Sequence, residues 1–371
     1  MGGGLSTHML KHVRFQGVKA LLDVQVDLDP LTVIVGPNGC GKSTLLDQID
    51  LLCQCSQPTT DPHLPLGQAG RLLRRTEPSA LVTHEHAGGV SWEGVDSADH
   101  HLRVSVPKPR SINWDDECRV EATDKTGTST LQLEASSSET AAANETLAAS
   151  FAWRAQRLRL IPSKIAAPVD ARQTALDHTG LGLAAVLAAL ALNDQDAYAT
   201  IQRDLRSIVP QFEKLQLSRP DVEDDKGVTH GGVALGMVMK GAGLLPASAI
   251  SEGTLLALAL LTAVHDRDLA PVILMDDLDH GLHLGGQVRL VKAIRDVIHT
   301  VPGVQVICTS HSPYLLQEVP AEAVRVMALD PEGRAHLRPL VEHPEYAKWA
   351  QVMNTGELWA NLGEEWVVHG G

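Results

Sequence analysis

Along this chain the spacing of apolar residues changes period several times, and each change marks an element. Val13-Arg-Phe15 and Val24-Gln-Val-Asp-Leu28 alternate apolar with polar, which predicts two strands. Leu31-Thr-Val-Ile-Val35 is a continuous apolar run and predicts a third strand in the same sheet. The period then lengthens, and Thr44-Leu-Leu-Asp-Gln-Ile-Asp-Leu-Leu52 reads as a helix. Residues 54–80 are rich in Pro, Thr and Gly and predict a long surface connection with room for one short helix. Four short alternating runs follow: Val90-Ser-Trp92, Leu102-Arg-Val-Ser-Val106, Cys118-Arg-Val-Glu-Ala122 and Thr130-Leu-Gln-Leu133. Turns carrying Gly and Asp separate them, which predicts an antiparallel sheet.

The tract from Ala135 to Glu145 is low in complexity and predicts either a flexible loop or the start of a weak helix. Leu183, Val186, Leu187 and Leu190, then Ile201, Leu205 and Ile208, recur at helical spacing, so residues 180–209 form a helical region. Asp221 to Gly232 is acidic and glycine-rich and predicts an exposed loop, with a strand beginning at Val233. The expected organisation is residues 1–55 as the first part of a nucleotide-binding core and 56–150 as a β-rich insertion with a flexible tract. Residues 151–250 then form a helical lobe, and 251–371 complete the core.

The candidate chemistry sits where the third strand meets the first helix. Gly36-Pro-Asn-Gly-Cys-Gly-Lys42-Ser43-Thr44 is a complete G-x-x-x-x-G-K-S phosphate-binding loop. Its glycines let backbone N–H groups turn onto phosphate oxygens, and the helix N-terminus behind it favours an anion. Gly36, Asn38, Gly39, Cys40, Gly41, Lys42, Ser43 and Thr44 are therefore the candidate ATP contacts, with Lys42 on the β- and γ-phosphates and Ser43 on Mg²⁺.

Three later segments supply what such a loop needs. Val272-Ile-Leu-Met-Asp276-Asp277 is a buried-type strand closing on two carboxylates, the pattern of a Walker B element. Asp276 is the candidate Mg²⁺ ligand and Asp277 the candidate base that orients the attacking water. Ala249-Ile-Ser251-Glu-Gly253-Thr starts an apolar helix 25 residues before Asp276, and serine is a common helix cap. Val304-Gln-Val-Ile-Cys-Thr-Ser-His311 is a strand ending on a histidine 35 residues after Asp276, with a helix over 285–299 between them.

On these motifs the chain resembles the ATP-binding-cassette (ABC)-type ATPases related to RecF, SMC proteins and the overcoming-lysogenization-defect (OLD) family, also called AAA-type ATP-binding proteins. The resemblance covers roughly residues 10–55 and 160–365. It implies an α/β P-loop NTPase fold with an ABC-ATPase-like core, an antiparallel β lobe and a helical signature lobe. It also makes Ser251 and Gly253 the signature contacts, Gly281-Leu-His283 the loop after Walker B, and His311 the switch histidine. In that family ATP lies between two protomers, which implies a head-to-tail homodimer. Where the family carries Asp-Glu-Pro-Glu, this chain has Asp276-Asp-Leu-Asp279-His280. A base one methylene shorter implies slow turnover unless Asp279 or a shifted backbone compensates. Phe15 and Lys19 stand where RecF-like proteins approach the adenine, and Gln68 is a candidate for the glutamine that follows the first helix.

Composition narrows the reading further. A formal net charge of −14 argues against bulk attraction to nucleic acid, although Arg71/Arg74/Arg75 and Arg154/Arg157/Arg159/Lys164 leave local phosphate contacts open. Five cysteines without a C-x-x-C pair point to reduced thiols and a cytoplasmic protein, and no apolar run is long enough for a membrane span. His84, His86, His100 and His101 lack a completing ligand at metal-site spacing and are expected on solvent-facing strand positions. The function expected is an ATP-hydrolysing dimer switch for a separate effector protein in antiviral defence or DNA repair. About 60 residues follow His311, fewer than the nuclease domain of OLD-type chains needs. The alternatives are a RecF-like ATP-dependent DNA-binding protein and an ATP sensor without useful turnover.

Overall fold

The computed structural model describes residues 9–56, 89–106, 119–123, 129–134, 153–173, 175–223, 229–265, 272–279 and 284–369. Of the connection predicted over 54–80, residues 54 and 55 instead continue the first helix and Ser56 ends it. Residues 57–80 and the small-residue tract from Ala135 to Glu145 lie outside the described residues. The chain divides into two units, residues 1–155 with 307–371 and residues 156–306.

Unit 1 opens with a hairpin, β1 (Leu10–Val18) and β2 (Leu21–Asp27), whose turn places Lys19 at φ 49°. β3 (Leu31–Val35) leads into α1 (Lys42–Cys55). β4 (Val90–Asp96), β5 (His101–Val106), β6 (Arg119–Thr123) and β7 (Ser129–Glu134) add to β1, giving an antiparallel sheet in the order β2-β1-β4-β5-β6-β7. The period-two alternation sorts its residues onto two faces. Val24, Phe15, Trp92 and Val104 stand opposite one another on successive strands, and all are buried. On the other face Arg14, Glu93, Arg103 and Glu121 alternate in sign across four strands. Arg14 also grips Asp23 through two hydrogen bonds of 2.7 and 2.6 Å. Opposite-charge pairs of this kind contribute about 0.2–1 kcal/mol each and pin the register.

α1 packs on β4, where the Trp92 indole donates to Gln48 at 2.8 Å. Gly94 is needed there, because a Cβ would lie 2.8 Å from the Trp153 ring and 2.9 Å from Leu52.

Unit 2 contains β8 (Ala155–Arg157), β9 (Val169–Asp170), α2 (Leu183–Asn193), α3 (Gln195–Ile208), β10 (Phe212–Ser218), β11 (Asp221–Glu223), β12 (Thr229–Met239) and β13 (Gly243–Pro246). These are followed by α4 (Glu252–His265), β14 (Val272–Met275) and α5 (Leu284–Thr300). The long β12 is the hub of a small antiparallel sheet, pairing with β10, β11, β13 and β9. The loop expected over 221–232 is therefore corrected: its described ends are paired strands. Gly232 explains the misreading, since a Cβ there would lie 1.8 Å from Val222 and 3.1 Å from the Val169 carbonyl oxygen. The glycine serves close strand approach rather than a turn. α4 is buried continuously from Thr254 to Ala263 and packs between α3 and α5, each enclosed leucine contributing about 2 kcal/mol. Its last turn is tied to α3 by His265, 2.8 Å from the buried Asp204 carboxylate.

β15 (Gln305–Ser310) returns the chain to unit 1, followed by β16 (Val324–Leu329), β17 (Ala335–Pro339) and α6 (Thr355–Leu362). Within this unit the second sheet runs β17-β16-β3-β15, with β16 and β3 parallel. The expectation that β3 shares a sheet with β1 and β2 is thus corrected. β3 is buried along nearly its whole length and needs cover on both faces, whereas β1 and β2 keep one face in water. The nearly buried Arg325 joins chain segments far apart in sequence, donating to the Asp27 carbonyl at 3.0 Å and to the Asp29 carboxylate at 2.7 Å.

Candidate functional site

In unit 1 the phosphate-binding loop occupies the expected place between β3 and α1. Gly36, at φ 150°, passes so close to β16 that a Cβ would lie 2.0 Å from the Met327 carbonyl oxygen. Gly41 enters α1 in the left-handed conformation, at φ 106°. No side chain caps this helix, and its first turn holds no acid, so neither a neighbouring hydroxyl nor a carboxylate competes for an anion there. Asn38, Gly39 and Ser43 are exposed, and Thr44 is half-buried.

Lys42 is only 5% exposed. Its ammonium turns back to donate to the Gly36 and Pro37 carbonyls at 2.9 and 2.8 Å, which satisfies a charge that burial would otherwise penalise. Cys40 lies 3.9 Å from the same ammonium, but burial outweighs that neighbour and pushes its thiol above the ordinary value. The thiol is therefore neutral at physiological pH, and its role in the loop is packing. Cys53, Cys55 and Cys308 are likewise buried thiols.

The β1–β2 turn borders the loop, since a Cβ on Gly41 would lie 3.8 Å from Leu21 and 4.0 Å from Ala20. Lys19 precedes these residues and is exposed, as a base-contacting position requires. Phe15 is corrected: it is wholly enclosed opposite Val24 and Trp92 and offers no face to a ligand.

His311 follows β15, the neighbour of β3, and is half-buried. The segment after it is fixed on both sides. Ser310 accepts the Ser312 N–H at 3.0 Å, and a Cβ on Gly356 of α6 would lie 1.9 Å from the Pro313 carbonyl oxygen.

In unit 2, Asp276 and Asp277 directly follow β14, both half-buried. Asp277 has φ 47°, a left-handed conformation that Asp tolerates better than most side chains. The carbonyl of Asp279 accepts from Gln287 of α5 at 3.4 Å. Gly281 to His283 lie outside the described residues. Ser251 caps α4: its hydroxyl accepts the Thr254 N–H at 3.3 Å and lies 2.8 Å from the Thr254 hydroxyl. Gly253 follows in the first turn, against the stem of Arg289 on α5. Sequence reasoning missed Arg289, which looks like any cation on an amphipathic helix.

Of the remaining expectations, His101 is exposed, but His100 is not a solvated strand histidine. Its Nδ1 lies 3.0 Å from the fully buried Asp96 carboxylate, which also accepts its backbone N–H. Arg154, Arg157, Arg159 and Lys164 are all exposed. Gln68, His84, His86 and Arg71, Arg74 and Arg75 lie outside the described residues.

Comparison with known proteins bears on the fold first. Residues 135–317 match the family model described as "AAA domain, putative AbiEii toxin, Type IV TA system", and residues 9–116 match the one described as "AAA ATPase domain". An SMC head solved bound to the C-winged helix domain of ScpA superposes with a TM-score of 0.52 at 14% identity, covering 89% of this chain and 97% of that one. Both matched stretches are thus similar to AAA-type ATPase domains. The chain has a mixed α/β P-loop NTPase fold like that of the SMC head. Its OLD likeness is local: 44 residues are 50% identical to the OLD nuclease of Thermus scotoductus (strain ATCC 700910 / SA-01). They span 12% of this chain and 8% of that relative. The SMC head domain from Thermotoga maritima is 12% identical, with a TM-score of 0.44 over 89% of this chain and 98% of that one. Among the described residues no helix is long and apolar enough to cross a membrane.

Proposed function

We propose that this ATPase domain is a nucleotide-driven dimer switch that binds and hydrolyses ATP with Mg²⁺ and reports its state to a separate effector, in bacterial antiviral defence or DNA repair. The observation that carries the reading is the first turn of α1, reached through left-handed Gly41 and lacking both a side-chain cap and an acid. A turn so built suits a phosphate. Gly36, Asn38, Gly39, Cys40, Gly41 and Thr44 wrap the phosphates, and Lys42 exchanges its loop carbonyls for the β- and γ-oxygens. Ser43 and Asp276 would hold Mg²⁺, which neutralises charge developing on the transferred phosphoryl group.

Asp277 takes the proton of the attacking water, Asp279 supports that end of the strand, and His311 donates to the γ-phosphate. Ser251 and Gly253 of one copy meet the nucleotide of the other, so that a contact made only with triphosphate couples hydrolysis to dimer opening. The SMC head bound to a domain of ScpA, an ATPase head with a partner outside its own chain, supports a separate effector. The match to the AbiEii-type model and the short OLD likeness support the cellular setting.

A second reading, an ATP-dependent clamp on DNA, is favoured by the exposure of Arg154, Arg157, Arg159 and Lys164. Steady-state hydrolysis with Lys42→Ala as the blank, together with molar mass by light scattering with and without ATP, tests the leading reading. Turnover above the blank and an ATP-dependent dimer, trapped by Asp277→Asn, are expected. Bound ATP with neither result would leave a sensor.

A further inference from the structure

The first turn of α4 is held from outside by a side chain of α5. Arg289 of α5 donates through Nη2 to Glu252 at 2.6 Å. The stem of the same residue lies against Gly253, where a Cβ would be 3.4 Å from both Cβ and Cδ of Arg289. One arginine therefore touches two consecutive residues beside the capping Ser251. α5 in turn begins shortly after the Asp276-Asp277 carboxylates.

The ion pair is a surface one, with Arg289 at 40% and Glu252 at 42% exposure. Pairs so exposed contribute little to folding. A planar guanidinium that both packs and donates nevertheless fixes orientation well. Ser251 and Thr254 already satisfy each other, so the cap does not need Arg289 to exist; what Arg289 adds is the direction in which the turn faces.

We propose that Arg289 is a positioning residue for the signature turn, aligning Ser251 and Gly253 for the nucleotide held by a second copy of the chain. This rests on the dimer-switch reading above. Arg289 acts through the turn and touches no nucleotide. Its loss therefore spares ATP capture by the phosphate loop of the same chain and impairs the step that needs two copies.

The test is ATP-dependent self-association in the Asp277→Asn background, measured by light scattering across protein concentration, with kcat and KM measured in the otherwise native chain. Arg289→Ala is expected to weaken self-association and lower kcat by about tenfold, the size of one charge-assisted hydrogen bond, while KM and the binding of a fluorescent ATP analogue at low protein concentration stay within about twofold. Reversing the pair, Glu252→Arg with Arg289→Glu, is expected to recover much of what either single reversal loses. Should Arg289→Ala fail to fold, Glu252→Ala removes the same hydrogen bond from the other side and is expected to behave alike.

Self-association of Arg289→Ala equal to that of the parent would overturn the inference and leave the dimer reading standing. So would a double reversal no better than the single ones. A native chain that hydrolyses ATP yet never self-associates would remove the dimer reading, and this inference with it.

Discussion

Two helix N-termini carry the candidate chemistry, and they are finished in opposite ways. α1 begins at a left-handed glycine with no side-chain cap and no acid in its first turn. α4 begins at Ser251, whose hydroxyl accepts the Thr254 N–H, and its first turn holds Glu252 gripped by Arg289. The first leaves its orphan N–H groups and partial positive charge for an anion. The second satisfies part of itself and carries a negative side chain that an anion must approach past. The difference teaches that a helix end becomes a primary phosphate site by what is left out of it. A capped end can serve only as the second contact on an anion already held elsewhere.

The sharpest way to break the comparison is Lys42→Ala, which keeps the uncapped end of α1 but removes its cation. Turnover should fall by about a thousandfold, as a steady-state phosphate-release assay would show. Next, Asp277→Asn should cost about a hundredfold in kcat by removing the proposed base at the end of β14. Asp277→Glu should not exceed the native rate, because the left-handed backbone at φ 47° suits Asp and strains the longer side chain. Gly36→Ala attacks the loop through its backbone, where the clash with the Met327 carbonyl and the positive φ should cost about 3 kcal/mol in denaturant unfolding. Ser251→Ala probes the other helix end and should cost about 1 kcal/mol of stability while leaving ATP capture by α1 unchanged in a binding titration.

The smallest effect concerns a third way of serving backbone N–H groups. Burial raises the pKa of Asp177, but hydrogen bonds from the Thr179 hydroxyl and the Thr179 and Leu181 N–H groups outweigh it, and the carboxyl sits below its ordinary value. A depressed folded pKa gives stability that is present above the unfolded value near ~3.9 and is lost as pH falls through the folded one. The stability difference between the native chain and Asp177→Asn should therefore be widest near neutrality and narrow below about pH 4 in thermal melts.

Much of this molecule is legible from residue spacing. The alternation at Val13 to Phe15 and from Val90 to Val106 marks strands, and the helical spacing over 183–208 marks α2 and α3. Glycine and lysine spacing locate the loop between β3 and α1 because the backbone geometry it needs admits few residues. What escaped was partnership. β3 joins β16 rather than β1, residues near 221 and 232 pair as strands, and Phe15 turns inward to Trp92. In each case a distant segment, not the local pattern, decided the outcome.

The sequence by itself determined where strands and helices begin, that an anion-binding loop follows β3, and that acids end β14. Periodicity and loop chemistry are local properties, written within a few residues. Tertiary structure alone decided which face of β1 is covered, that Arg325 ties β16 to the β2–β3 turn, and that Arg289 lies on Gly253. Those are contacts between segments far apart along the chain, and only the packing of whole elements selects among the many partners that any one side chain could meet.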